Sequence, residues 1–200
     1  MRIFRGTLAA AALVAALVVS GCGSDDSAST TPSGTTATNM PAGNGAASAT
    51  QTPVTWTASG VTGSVTVTTA SNAAAAPTIK VTTPFSVAQT QVHVLHEGTG
   101  ATVGDNTQVS VNYVGVNGRT GAQFDSSYTR GAPASFTLAG VIPGFAKALA
   151  GQRVGATVAA AVLPADGYGP MGGNQSAGIA PDDTLVFVLT IVDAQGAGSS

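Results

Sequence analysis

Charge is scarce in this chain. Of 200 residues only 7 are Lys or Arg and 9 are Asp or Glu, and no basic cluster stands out among them. A surface that binds nucleic acid or anionic lipid through many cations is therefore excluded. There is one cysteine, so no disulfide can form within one chain. The only histidines, His93 and His96, are followed by Glu97 with no further acid at ligand spacing. They read as surface imidazoles of a strand rather than as a metal site. No Ser occupies a G-x-S-x-G elbow, and "GVNGRTG" has glycines but no Walker lysine, so it reads as a turn. Whatever chemistry the chain performs is expected to need no metal, no cofactor and no activated nucleophile.

The amino terminus reads as an address. Arg2 and Arg5 precede an apolar stretch from Leu8 to Val19 that is too short for a stop-transfer helix. "VVSGC" then places small residues directly before Cys22, as in a bacterial lipobox. The expectation is a lipoprotein signal peptide over 1–21, cleaved before Cys22, with acylation of Cys22 holding the chain on a membrane without a spanning helix. Losing Arg2 and Arg5 leaves 5 basic against 9 acidic residues, a formal −4. Residues 22–52 are mostly Ser, Thr, Gly, Ala, Pro and Asn with almost no large apolar side chain, and are expected to form a flexible tether.

Residues 53–84 alternate Val and Thr around Trp56, which suggests one or two strands, either a small subdomain or a layer packed on the main domain. Residues 85–194 suffice for that one domain, and 195–200 read as a tail. Within it "TQVSVNYVG" alternates like a half-buried strand, "ATVAAAVLP" reads as a weaker strand, and "TLVFVLTIV" is apolar on both faces, as a central strand is. "PGFAKALAGQRVG" is the one credible helix. Pro143 stands near its start, Phe145, Ala148 and Leu149 share a face, and Gly151 can end it. One short helix against antiparallel strands is an α+β arrangement.

The aromatics Tyr113, Phe124, Tyr128, Phe136, Phe145, Tyr168 and Phe187 all fall within this domain. Their spacing is compatible with an ordinary core and with one apolar pocket assembled from several elements. "QFDSSYTR" sets Asp125 beside Phe124 with Arg130 five residues on, either to close a turn or to place a paired charge at such a pocket.

The stretches "EGTGATVGDNTQVSVNYVGVNGRTGAQFDSS", "FTLAGVIPGFAKALAGQRVG", "LPADGYGP" and "APDDTLVFVLTIVDA" occur in the order, and nearly at the spacing, of an FKBP-type peptidyl-prolyl cis–trans isomerase. The chain resembles that family over about residues 93–194, and "GAPASFTLAGVIPGF" is similar to the bacterial macrophage-infectivity-potentiator branch. The resemblance implies an antiparallel, five- to six-stranded sheet wrapped around one short helix. It implies acceleration of X-Pro bond rotation in exported proteins; the alternative is a non-catalytic module that holds proline-containing segments. The residues implied to line the proline pocket are Tyr113, Phe124, Asp125, Phe136, Val141, Ile142, Phe145, Tyr168 and Phe187, with Ile179 overhanging it. Phe145 would be its floor, the Ile142 N–H and the Tyr168 hydroxyl would bond the substrate backbone, and Arg130 would pair with Asp125. Departures are visible: Phe145 replaces the family's usual Trp, Ala134 stands where many members have Phe, and Asp166-Gly167 precedes Tyr168 where an aromatic or Leu followed by Ala is common. The implied partners are proline-containing polypeptides and, as competitors, macrolides of the rapamycin type. The implied setting is a monomer, lipid-anchored to the outer face of the bacterial cytoplasmic membrane.

Overall fold

The "TLVFVLTIV" run, apolar on both faces, becomes the middle strand of the main sheet. In the computed structural model, which describes residues 51–195, it forms β9 (Leu185–Gln195). The signal peptide, Cys22, nearly all of the expected tether and residues 196–200 lie outside the described residues.

Nine strands are formed among the described residues. A three-stranded antiparallel sheet takes β1 (Thr55–Ser59), β2 (Thr62–Thr68) and β3 (Thr78–Ser86), in that order. A six-stranded sheet takes β4 (Gln91–His96), β5 (Gln108–Asn117), β6 (Gln123–Ser126), β7 (Ala134–Thr137), β8 (Thr157–Val162) and β9. Its order is β4-β8-β9-β5-β6, with β7 also paired to β5. All these pairings are antiparallel. Two α-helices are formed among the described residues: α1 (Ser127–Arg130), a single turn that the sequence did not signal, and α2 (Pro143–Leu149).

The helix read from "PGFAKAL" has the limits its chemistry dictates. Pro143 opens it, where a missing N–H costs nothing, and Gly151 follows its end at φ +75°, a conformation that favours glycine. Gly144, Phe145, Ala148 and Leu149 are buried. At Gly144 the helix touches the sheet, since a Cβ there would lie 2.2 Å from Val162 Cγ1.

Strands β8 and β9 are apolar from Val158 to Val162 and from Leu185 to Leu189 because both of their faces are covered there. Val158, Ala160, Val162, Leu185, Phe187, Leu189 and Ile191 face the cluster that contains α2. The alternate residues Ala159, Ala161, Val186 and Val188 face Ala58, Val65, Val67 and Phe85 of the three-stranded sheet. The stretch 53–84 is therefore a second layer packed on the main sheet. It contributes three strands where one or two were expected, and β3 runs on through Phe85. The third strand was hidden because "TIKVTTPFS" carries a proline and an irregular burial pattern. His93 and His96 do lie in a strand, β4, yet both meet the second layer. His93 stacks on Trp56 with ring centroids 5.3 Å apart, and His96 Nε2 lies 3.0 Å from Thr69 Oγ1.

Candidate functional site

On the face of the main sheet that carries α2, a cleft of about 600 Å³ opens, within the size range of small-molecule and peptide sites. Its floor is Phe145, 5% exposed, at the first turn of α2. Three rings stand nearly edge-on to it: Tyr113 at 5.9 Å and 86°, Phe136 at 5.4 Å and 70°, and Phe187 at 5.6 Å and 85°. Phe124 meets Phe187 in the same way, at 5.6 Å and 88°. Edge-to-face packing of this kind fixes each ring against its neighbour beyond what area burial alone gives. The two readings of the aromatics thus describe one object, a core whose upper layer is the wall of a cleft. Tyr128 is the exception; it lies apart, beside Thr157 and Thr190.

The local sequence explains the acid at the rim. Asp125 is near the end of β6, opposite Gly115 of β5. Ser126 caps α1 by accepting the Tyr128 N–H, and the buried Ser127 hydroxyl accepts the Tyr113 N–H at 2.8 Å. Gly131, at φ +72°, ends the single turn. That one turn brings Arg130 back over Asp125. Its Nη1 donates to Asp125 Oδ1 at 2.5 Å and its Nη2 to the Tyr113 hydroxyl at 2.8 Å. The guanidinium carbon sits 5.4 Å from the Tyr113 ring centre. Tyr113 donates its hydroxyl to Asp125 Oδ2, and the Ser126 N–H donates to Oδ1 at 2.8 Å. Burial by itself would raise the Asp125 carboxyl, but the bonds from Tyr113 and Arg130 outweigh it and hold the group below the usual carboxylate range. Burial, and then the bond to Asp125, push the Tyr113 phenol upward. Every nearby donor is spent on holding a carboxylate ionised, so Asp125 is a fixed negative charge and a poor proton carrier.

Nine of the ten pocket residues expected from sequence line the cleft: Tyr113, Phe124, Asp125, Phe136, Val141, Ile142, Phe145, Tyr168 and Phe187. Ile179 does not. It is 3% exposed and packs in the core below, because the loop closes on itself there. Asn174 N–H donates to the Ile179 carbonyl at 2.8 Å and Ile179 N–H to the Asn174 carbonyl at 2.9 Å. The rim position expected of Ile179 is taken instead by Pro170 and Met171, the latter 62% exposed. Two polar groups remain available on the lining. Among the described residues the Ile142 N–H and the Tyr168 hydroxyl make no hydrogen bond within the protein, whereas the Ile142 carbonyl is used by Phe145 and Ala146. Gly115 was also missed. A Cβ there would lie 2.6 Å from the Phe124 ring and 3.1 Å from the Phe187 ring, so its bareness lets the two walls close.

Comparison with known proteins agrees with this geometry. The FKBP-type peptidyl-prolyl cis-trans isomerase profile matches residues 100–192. The FK506-binding protein of Streptomyces anulatus is 39% identical over 99 residues, 48% of this chain and 78% of that protein. FkpA of Escherichia coli is 39% identical over 104 residues, 52% of this chain but only 37% of FkpA's length. The crystal structure of FkpA superposes with a TM-score of 0.50 at 38% identity, covering 55% of this chain and 49% of that one. The probable FK506-binding protein of Corynebacterium glutamicum is 38% identical over 98 residues, which span 48% of this chain and 80% of that protein. At 38–39% identity over 78–80% of the length of the two FK506-binding proteins, this chain belongs to the FKBP-type peptidyl-prolyl cis-trans isomerase family.

Proposed function

We propose that this protein accelerates rotation about X-Pro peptide bonds in exported polypeptides. The observation that carries the reading is the cleft itself: an aromatic cup on Phe145 whose rim offers two uncommitted donors, Ile142 N–H and Tyr168 Oη.

The amide barrier is about 18–20 kcal/mol because the planar bond is resonance-stabilised, and uncatalysed X-Pro exchange takes tens to hundreds of seconds. At the twisted midpoint the amide has lost much of its resonance dipole, so leaving water costs it less than it costs the planar form. A preshaped apolar cup thereby favours the midpoint over either ground state, which is catalysis by differential binding. The proline ring would sit over Phe145, with the flanking backbone bonded to Ile142 N–H and Tyr168 Oη. The fixed negative charge of Asp125 lies beside the cup, where it acts on the twisting carbonyl group without exchanging a proton. Nothing is protonated or attacked, in keeping with a site whose one carboxylate is fully engaged.

The setting belongs to the same proposal. The "VVSGC" signal supports export and acylation at Cys22, with the domain held by lipid at the outer face of the cytoplasmic membrane. Its clients would be secreted chains whose folding waits on proline bonds, met by a monomer, and macrolides of the rapamycin type would compete for the cup. The test is a protease-coupled assay with an X-Pro peptide: micromolar protein should raise the isomerisation rate, and rapamycin should abolish the gain. A protein that binds the peptide with no rate gain would be a holding module instead.

A further inference from the structure

We infer that Asp166 is a positioning residue for the pocket tyrosine, tying the turn that carries Tyr168 to the helix that carries the pocket floor and to the segment that leads into β4. This inference rests on the isomerase reading for its effect on rate.

Three parts of the chain meet at one carboxylate. Lys147, on the exposed side of α2, donates its Nζ to Asp166 Oδ1 at 2.8 Å and to Oδ2 at 2.7 Å. Thr90 donates its hydroxyl to Oδ2 at 2.5 Å and accepts the Leu163 N–H at 3.1 Å. Asp166 closes the turn Pro164–Asp166, its own N–H bonded to the Leu163 carbonyl at 2.9 Å. Tyr168 comes two residues later. The far side of that turn is held by close backbone approach, and Tyr168 itself packs against the core cluster. A Cβ on Gly169 would lie 2.6 Å from the Pro164 carbonyl oxygen and 2.9 Å from that of Pro181, and the Tyr168 carbonyl accepts the N–H of Met171 at 3.1 Å and of Gly173 at 2.9 Å. On the near side, the side-chain bonds that link the turn to α2 and to the segment before β4 are those of Asp166 and Thr90.

Placement, rather than stability, is what these bonds supply. The Asp166 and Lys147 side chains are 21% and 56% exposed, and an ion pair that wet contributes little to folding. What it does fix is the distance between Tyr168 and Phe145, which must hold one proline segment between them. Misplacing a binding group in a preorganised site costs rate even when the fold is intact. Thr90 lies outside residues 100–192, so the tie also joins the amino-terminal part of the chain to the cleft.

The experiment uses the full chain and three variants: Asp166→Ala, Tyr168→Phe and the double variant. Each is assayed for X-Pro isomerisation and for amide hydrogen exchange. Asp166→Ala should lower kcat/KM about 5–10-fold, yet less than about twofold when Tyr168 is already Phe, because the two changes act through one contact. Exchange at the Met171 and Gly173 amides should quicken about tenfold, while β9 amides are unchanged. If Asp166→Ala fails to fold, Asp166→Asn, which keeps an acceptor for Thr90 and removes the charge partner of Lys147, takes its place with a smaller expected loss. Additive losses in the double variant, or unchanged exchange at Met171 and Gly173, would overturn the inference. A wild type without isomerase activity would instead defeat the functional reading, and the exchange measurement would still decide this one.

Discussion

Asp125 shows how much one side chain can be read from its neighbours. Its carboxylate is held ionised and oriented by Tyr113, Arg130 and the Ser126 N–H. The pair with Arg130 is open to water, the two side chains being 39% and 47% exposed, so its worth to the fold is about 1 kcal/mol at most. Asp125→Ala should therefore cost activity more than stability: about tenfold in kcat/KM, near 1.4 kcal/mol of transition-state binding, with a smaller change in the unfolding midpoint. Equal losses in the two measurements would make Asp125 a residue of the fold. The pH dependence comes from its depressed pKa. A carboxylate held below its unfolded value, about 3.9, contributes fully above that pH, and the contribution is lost as pH falls through the lower folded value. A pH profile of kcat/KM should therefore show no Asp125 step at or above the ordinary carboxylate value, about 3.9, and a decline only below it. Gly115 makes the complementary point, since what matters there is a missing atom. Gly115→Ala would drive a methyl into the Phe124 and Phe187 rings, so the variant should raise KM for an X-Pro peptide several-fold or more, read in the same assay.

Elements were legible where local chemistry and burial agree. The helix at Pro143–Leu149 comes from an apolar face, an opening proline and a closing glycine, and the central place of β9 from a run apolar on both sides. The aromatic cup was legible too, because its residues recur at family spacing, although spacing alone did not distinguish wall from core; in the structure they are both. Other features were closed to sequence reading for physical reasons. The single turn α1 holds four residues, too few for any periodicity, and it is set by the Ser126 cap and the buried Ser127 hydroxyl. Ile179 was misplaced because only the paired bonds to Asn174, formed across a glycine-rich loop, turn it inward. Contacts between elements were the least visible of all. Gly144 looks like an ordinary helix residue until β8 is set against it, where its missing Cβ leaves room for Val162. Gly144→Ala improves helix propensity by about 1 kcal/mol yet should destabilise the protein by a net of about 1–3 kcal/mol, because overpacking against a strand outweighs propensity. Chemical denaturation checks the sign, and a more stable variant would mean that α2 stands off the sheet.

At the scale of the whole molecule the two faces of the main sheet do different work. One is wrapped on α2 and carries the cleft; the other is covered by β1, β2 and β3, which lie outside the family-matched residues 100–192. Strands β8 and β9 bury Ala159, Ala161, Val186 and Val188 against that cover, each 0–1% exposed. The cover must matter to stability, for without it this apolar stripe would meet water. Each of the two valines is worth about 1.5–3 kcal/mol of burial as an upper estimate. The alanines, Leu95 and Val87 add to this. A chain beginning at Val87, which keeps Thr90 and its bond to Asp166, should lose about 3–6 kcal/mol and bind a hydrophobic dye. For a domain of this size the melting temperature should fall by roughly 10–20 °C. Its cleft, on the opposite face, should be spared, so below the new transition kcat/KM should stay within about twofold of the full chain. A milder probe separates burial from truncation artefacts: Val67→Ala, fully buried in β2, should cost about 1–3 kcal/mol with activity unchanged. An unaltered melting point in both variants would make the second layer an appendage. A large loss of activity at constant stability would mean that the cover reaches the cleft through the sheet, since the truncated chain retains Thr90.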